Sequence, residues 1–225
     1  MLKSEIIDTT TVPDGCEFQL VQHGDDWTVR VGGRMLMSSR MHNSEEELAE
    51  YGLARAPVAK HVLVGGLGLG FTVRAVLNRV APDAKVTVAE LVPKLVTWNR
   101  EHLGHLNDHP LDDPRCEVIV GDVFEVIRKT PATFNVMLLD IDNGAVALSH
   151  PQNQRLYGWR GVRACHDALT PGGIFALWSA APSPRFERRM ADAGFEVEVV
   201  RVSARKGSRA SHVLFLGKAK ASATP

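Results

Sequence analysis

The feature that most constrains this chain is the apolar run His61-Val62-Leu63-Val64, which breaks at once into Gly65-Gly66-Leu67-Gly68-Leu69-Gly70. A second apolar run, Val86-Thr87-Val88-Ala89, ends on Glu90. A buried strand, a glycine turn, a helix and a second strand tipped with an acid together make a nucleotide-binding βαβ unit. The glycines let the backbone approach a ligand, and the helix N-terminus behind them offers free N–H groups. An acid in the position of Glu90 can accept hydrogen bonds from both hydroxyls of a ribose.

The glycine spacing narrows the ligand. The dinucleotide pattern G-x-G-x-x-G would need glycine at position 71, where Phe71 stands, and Leu67 blocks the register that starts at Gly65. What the chain carries is G-x-G-x-G at Gly66, Gly68 and Gly70, the usual form in S-adenosylmethionine (SAM) enzymes. Two more apolar runs follow. Val118-Ile119-Val120 leads into Gly121-Asp122, and Val136-Met137-Leu138-Leu139 leads into Asp140, Asp142 and Asn143. Ligands of open parallel sheets sit at the carboxyl ends of the strands. Acids there can divide one ligand among them: Glu90 on ribose, Asp122 on the adenine amino group, Asp140 near the reacting end. A lone acid after a strand is often only a helix N-cap, and Val123-Phe124-Glu125 makes Asp122 a candidate for that role too.

The order of elements predicts an α/β, Rossmann-like fold: a seven-stranded, mostly parallel sheet with the last strand antiparallel, behind a short N-terminal β-hairpin or meander. Residues 17–21, 27–31 and 34–38 alternate as antiparallel strands, separated by Gly24-Asp25 and Gly32-Gly33. Ser44-Glu45-Glu46-Glu47 reads as a capping box opening a helix that ends near Pro57. Strands are expected at 61–65, 85–90, 116–120, 134–140 and 174–179, with a closing hairpin at 195–202 and 212–216. Helices are expected at about 69–80, 94–103 and 122–129, then from the polar loop 143–154 to Leu169, and at 185–193. Pro171-Gly172-Gly173 reads as the turn before the fifth of these strands. The division is a reduced β region (1–43), a SAM-binding catalytic domain (44–218) and a disordered tail (219–225).

From about Trp27 to about Pro182 the sequence resembles the polyamine aminopropyltransferases (spermidine synthases), which have the class I SAM-methyltransferase fold. The residues that carry this are Val62 to Gly70, Glu90, Gly121-Asp122-Val123-Phe124-Glu125, the segment from Phe134 to Asp140, and Thr170-Pro171-Gly172-Gly173. The resemblance implies ribose binding by Glu90, adenine binding by Asp122, and an Asp140 that deprotonates or orients the attacking amine.

The chain also departs from that family. Its first turn, G-G-G-D-G-G in the family, has Gly68 where the family aspartate faces the amine of decarboxylated SAM. Losing that carboxylate removes a contact for a cation and removes repulsion against a ligand carboxylate, which favours intact SAM. The polyamine-recognition segment corresponds to Glu45-Glu46-Glu47-Leu48-Ala49-Glu50-Tyr51, with Ala49 at the tyrosine position. The loop after the fourth strand shortens to Asp140-Ile141-Asp142-Asn143-Gly144. The fifth strand ends Leu177-Trp178-Ser179-Ala180-Ala181-Pro182, where the family commonly has a glutamine and a glutamate. The first expectation is therefore methyl transfer from SAM to a small, amine-containing acceptor, with Asp140 and Asp142 as catalytic acids. The alternative is aminopropyl transfer from decarboxylated SAM to a polyamine. A third reading is a non-catalytic SAM- or nucleoside-binding protein. Transfer of the aminocarboxypropyl arm of SAM is not separable from the first reading.

At 225 residues, 44% of them hydrophobic, the chain can bury one α/β core. With 26 basic and 26 acidic residues it has no net charge, so no nucleic-acid partner is expected. Cys16, Cys116 and Cys165 form no metal-ligand pair and fit a reducing compartment. The opening residues lack the apolar core of a signal peptide, and no membrane span is expected. These readings predict a cytoplasmic enzyme without a metal, compatible with a homodimer. His102, His105 and His109 read as a surface turn rather than a metal site. Arg40 or His42 is a candidate to meet a ligand carboxylate, and His150, Asn153 and Tyr157 are expected in a lid over the acceptor. Trp178 reads as an apolar wall or as core.

Overall fold

A computed structural model describes residues 4–11, 15–141, 154–203 and 211–220. Four N-terminal strands, β1 (Glu5–Thr11), β2 (Glu17–His23), β3 (Asp26–Val31) and β4 (Arg34–Ser38), form an antiparallel meander. The tight turns between β2 and β3 and between β3 and β4 have positive φ at Gly24, Gly32 and Gly33, as short hairpin loops require. Strand β1 was not expected, because its threonine-rich sequence shows no apolar face: Ile6 is 55% exposed. It is held instead by pairing with β2 and by Asp8, which accepts hydrogen bonds from the Trp98 indole (2.8 Å) and lies 2.7 Å from the Lys94 ammonium. Those two donors hold the Asp8 carboxyl down at about 2.

Helix α1 (Asn43–Arg55) leads into the main sheet. Along the chain follow β5 (His61–Gly65), α2 (Phe71–Leu77), β6 (Lys85–Glu90), α3 (Pro93–Trp98), β7 (Cys116–Val120), α4 (Val123–Lys129) and β8 (Phe134–Leu139). Then come α5 (Gln154–Tyr157), α6 (Trp159–Ala168), β9 (Leu169–Ser179), α7 (Pro184–Asp192), β10 (Phe195–Ser203) and β11 (Ser211–Ala219). The sheet order is β10-β11-β9-β8-β5-β6-β7; β11 is antiparallel to both neighbours, and the pairings among β9, β8, β5, β6 and β7 are parallel. This is the expected seven-stranded arrangement. Val62, Leu63 and Val64 are fully buried because helices cover both faces of the sheet.

Several local expectations give way to tertiary contacts. The capping box does not form: the helix starts at Asn43, and the buried Ser44 Oγ faces the sheet 3.1 Å from His212 Nδ1. Helix α2 starts two residues later than expected because Gly70 takes the left-handed conformation and Leu69 is buried under the small sheet. The helix after β6 turns into a π-helix over Asn99–Leu103. The expected turn at Pro171-Gly172-Gly173 lies inside β9, as an irregularity that shifts the β8–β9 register between Phe134 and Val136. Phe18, Leu20, Trp27 and Val29 of the small sheet bury against Leu69, Phe71, Leu95 and Trp98, which lays that sheet over the carboxyl ends of β5 and β6. No described helix is long and apolar enough to cross a membrane.

Candidate active site

Three ladder bonds bring the predicted acids to one edge. The Gly66 N–H donates to Ala89 O (2.9 Å), the Asp140 N–H to Gly65 O (2.9 Å) and the Gly121 N–H to Glu90 O (2.8 Å). The cleft at that edge is lined by Gly66, Gly68, Glu90, Gly121, Asp122, Asp140 and Ile141, and it is roofed by Phe18, Leu36 and Met37 of the small sheet. Every lining residue is glycine, apolar or acidic, so the described wall of the cleft offers three carboxylates and no basic side chain.

Gly66 has φ +85°, and a Cβ there would collide with the carbonyl oxygen of Asp140, so this glycine is what lets the turn close onto β8. Gly68 lies open to the cleft: a Cβ would meet only Met37 Sδ, at 3.7 Å. Gly70 does not line the cleft. It packs beneath it, against Asn99 and Asn107. Those asparagines, which carried no signal in the sequence, brace the turn from behind. Asn99 Nδ2 donates to Gly68 O (2.9 Å) and Asn107 Nδ2 to Leu69 O (2.6 Å), and both side chains are buried.

Glu90 is 5% exposed. Its Oε2 accepts the Leu67 N–H at 2.8 Å and its Oε1 accepts the Val92 N–H at 2.7 Å. Burial raises its pKa, and these backbone donors work against that rise. Glu90 therefore shapes the glycine turn from the cleft side. Asp122 caps α4, accepting the Phe124 N–H at 2.8 Å, as one sequence reading expected, and it also lines the cleft. Its second oxygen lies 2.6 Å from Arg155 Nη2 on α5.

At the other end of the cleft, burial pushes the Asp140 carboxyl up to about 7. Glu45, in the first turn of α1, is raised well above the ordinary carboxylate range by burial, then by the charges of Asp140 and Glu46. Sequence reading placed Glu45 in a cap and in a recognition segment, without pairing it to Asp140. Ala49, at the family tyrosine position, is fully buried core. Asp142, His150 and Asn153 lie outside the described residues. The Tyr157 hydroxyl donates to Ile141 O at 2.9 Å, beside Asp140.

The remaining candidates make contacts outside the cleft lining. Arg40 pairs with Asp26, and His42 stacks on Phe71 (4.1 Å) with its Nδ1 2.9 Å from Glu46. His102 and His105 pack their rings on Trp27, at 6.2 and 5.9 Å, and His109 is exposed. The described residues contain no group of three or more side chains suited to a metal ion. Trp178 is partly buried, edge-on to His212 at 4.5 Å.

Comparison with known proteins agrees with this architecture. Polyamine aminopropyltransferase 2 of Pseudomonas aeruginosa is 33% identical over 122 residues, covering 52% of this chain and 33% of the relative. The polyamine aminopropyltransferase of Aeropyrum pernix is 29% identical over 166 residues, covering 69% of this chain and 52% of the relative. The chain thus spans a third to about half of the length of these curated relatives. Among solved structures, a spermidine synthase in complex with the transition state analogue AdoDATO superposes with a TM-score of 0.81 at 21% identity, covering 96% of this chain and 75% of that one. The spermidine synthase from Thermotoga maritima gives 0.76 at 20% identity, covering 95% and 72%. At that identity the superpositions speak for the fold. The model of the spermine/spermidine synthase domain matches residues 41–192, from just before α1 to the end of α7, across the glycine turn and all three acids of the cleft. By that match the chain belongs to the spermine/spermidine synthase family.

Proposed function

We propose that this protein transfers an aminopropyl group from decarboxylated SAM to an amine of a small polyamine-type acceptor. The observation that carries the reading is the desolvated carboxyl of Asp140, held near 7 beside Glu45 at the edge of a cleft whose described lining has no basic side chain. Such a pair holds an ammonium ion and can take its proton. A donor with a sulfonium and an ammonium but no carboxylate suits the acidic wall, whereas intact SAM would bring a third charge, a carboxylate, to a described lining that is acidic. Family membership supports the same choice, which was the alternative reading of the sequence. Methyl transfer, the first reading, rested largely on Gly68, and among the described residues lining the cleft none supplies the cation that a SAM carboxylate would need.

In this reading Glu90 holds the ribose and Asp122 the adenine amino group. The Gly66 and Gly68 backbone faces the donor. Asp140, ionised, accepts the proton of the incoming amine. The freed nitrogen lone pair attacks the methylene carbon bound to sulfur, and the C–S bond breaks with its electron pair left on sulfur. The products are a secondary amine and neutral methylthioadenosine. Alignment in a cleft shielded by Phe18, Leu36 and Met37 supplies most of the remaining rate advantage.

The test is to incubate the protein with a mixture of diamines and either donor, and to identify the released nucleoside by mass spectrometry. Methylthioadenosine formed with decarboxylated SAM is expected. S-adenosylhomocysteine formed with SAM would replace this reading with methyl transfer, and methylthioadenosine formed only with intact SAM would point to aminocarboxypropyl transfer.

A further inference from the structure

Three unfavourable features gather on the buried side of the glycine turn. The first is a pair of half-satisfied amides. Asn99 Nδ2 donates to Gly68 O and to Leu95 O, each at 2.9 Å, and Asn107 Nδ2 donates to Leu69 O at 2.6 Å. Carbonyl oxygens need donors, so these contacts fix which way each amide points. Both Oδ1 atoms are then left buried, with no hydrogen-bond partner among the described residues. A buried acceptor without a donor costs stability.

The backbone that carries these side chains is unfavourable too. Asn99 opens the π-helix that runs to Leu103, a rare form met mostly at functional sites. Asp108 and His109 have φ of +56° and +47°, two of the three described non-glycine residues with positive φ. Arg74 of α2 holds that segment: its Nε donates to Asn107 O (2.9 Å) and its Nη2 to Asp108 O. Because α2 starts at the turn itself, the contacts close a ring from the turn through Arg74 and Asn107 back to Leu69. Gly70 sits inside it, where a Cβ would come within 2.8 Å of Asn107 Nδ2 and 3.0 Å of Asn99 Oδ1.

An apolar residue at position 99 would fill the same space and leave no orphaned oxygen. What asparagine provides instead is direction. Glu90 takes the Leu67 N–H from the cleft side, while Asn99 and Asn107 draw the Gly68 and Leu69 carbonyls to the other. We propose that Asn99, with Asn107 as its second anchor, is a positioning residue for the donor: it holds the glycine turn, at a cost in stability, in the conformation that presents Gly66 and Gly68 to the nucleoside. The inference rests on the adenosyl-donor reading above. Strain of this kind persists where the surrounding structure enforces it, and it gathers at working sites.

Stability and affinity should therefore move apart in Asn99→Leu. Leucine has nearly the same size, removes the donor together with the orphaned oxygen, and frees the Gly68 carbonyl to turn toward water in the cleft. Its Tm should equal or exceed that of the wild type, while calorimetry with 5′-methylthioadenosine should show binding weakened about tenfold. Asn99→Ala removes the same donor at little cost to the helix and serves if leucine does not fit. Undiminished affinity in either folded variant overturns the proposal. So does a Tm that falls by more than a few degrees in both variants, or failure of both to fold, because Asn99 would then be holding the fold rather than the donor. Failure of the wild type to bind methylthioadenosine would overturn the adenosyl reading itself, and this inference with it.

Discussion

The first turn of α1 brings Glu45 near enough to Asp140 at the end of β8 for the charge of Asp140 to add to burial in raising the Glu45 carboxyl well above the ordinary carboxylate range. In the proposed reaction these two acids, about 95 residues apart in the sequence, serve together as one site for a cation and its proton. An arriving ammonium relieves their repulsion, so substrate binding and ionisation of the pair favour each other.

Asp140→Asn keeps shape and removes charge. It should lower turnover about 10²–10⁴-fold, the usual contribution of a positioned acid–base group, while donor affinity by calorimetry stays nearly unchanged. Asp142→Asn serves as the control; a larger loss there would move the proton acceptor two residues on.

The pH dependence follows from burial of Asp140. Only its ionised form accepts a proton, so kcat/KM should rise with pH through about 7, and Asp140→Asn should remove that limb. Stability should move oppositely. The folded-state pKa lies above the unfolded value of 3.8, so the folded chain binds more protons between 3.8 and about 7 and loses stability as pH rises through that window. Asp140→Asn should therefore raise Tm at pH 8 relative to the wild type while changing it little near pH 4. Equal Tm differences at both pH values would show that Asp140 is not desolvated.

Gly68→Asp restores the acid that the family commonly carries. The backbone there has φ +53°, which aspartate tolerates better than most residues, and the new Cβ meets only Met37 Sδ at 3.7 Å. The variant should gain about tenfold in preference for decarboxylated over intact SAM, read as thermal shifts at equal ligand concentration. An unchanged ratio would mean that the donor's amine does not reach Gly68.

Glu90→Gln tests the ribose acid and the turn together. Its amide N–H₂ would face either the Leu67 or the Val92 N–H, now held at 2.8 and 2.7 Å. Denaturant unfolding should show a loss of about 1–3 kcal/mol, and donor binding should weaken at least about tenfold. Full donor affinity in a folded variant would remove Glu90 from the nucleotide site.

Much of this molecule was legible from local pattern. The apolar runs gave the strands that carry the site, because a strand buried on both faces must be continuously apolar, as Val62 to Val64 are. The acids and glycines at the strand ends gave the ligand edge, because parallel register places successive carboxyl ends side by side. The sequence thus determined the sheet, its chemistry-bearing edge and the family. Which side chains meet across that edge depended on the tertiary structure. Glu45 reaches Asp140 only because α1 docks on the sheet through Leu48, Ala49 and Gly52, where a Cβ on Gly52 would strike Leu138. The same docking turned Ser44 from a helix cap toward His212. Asn99 and Asn107 brace the glycine turn, and Arg155 reaches Asp122, through contacts spanning 31 to 38 residues of sequence. Periodicity and spacing report on neighbours along one element. Long-range polar contacts leave no such imprint, because their geometry exists only once the elements have packed.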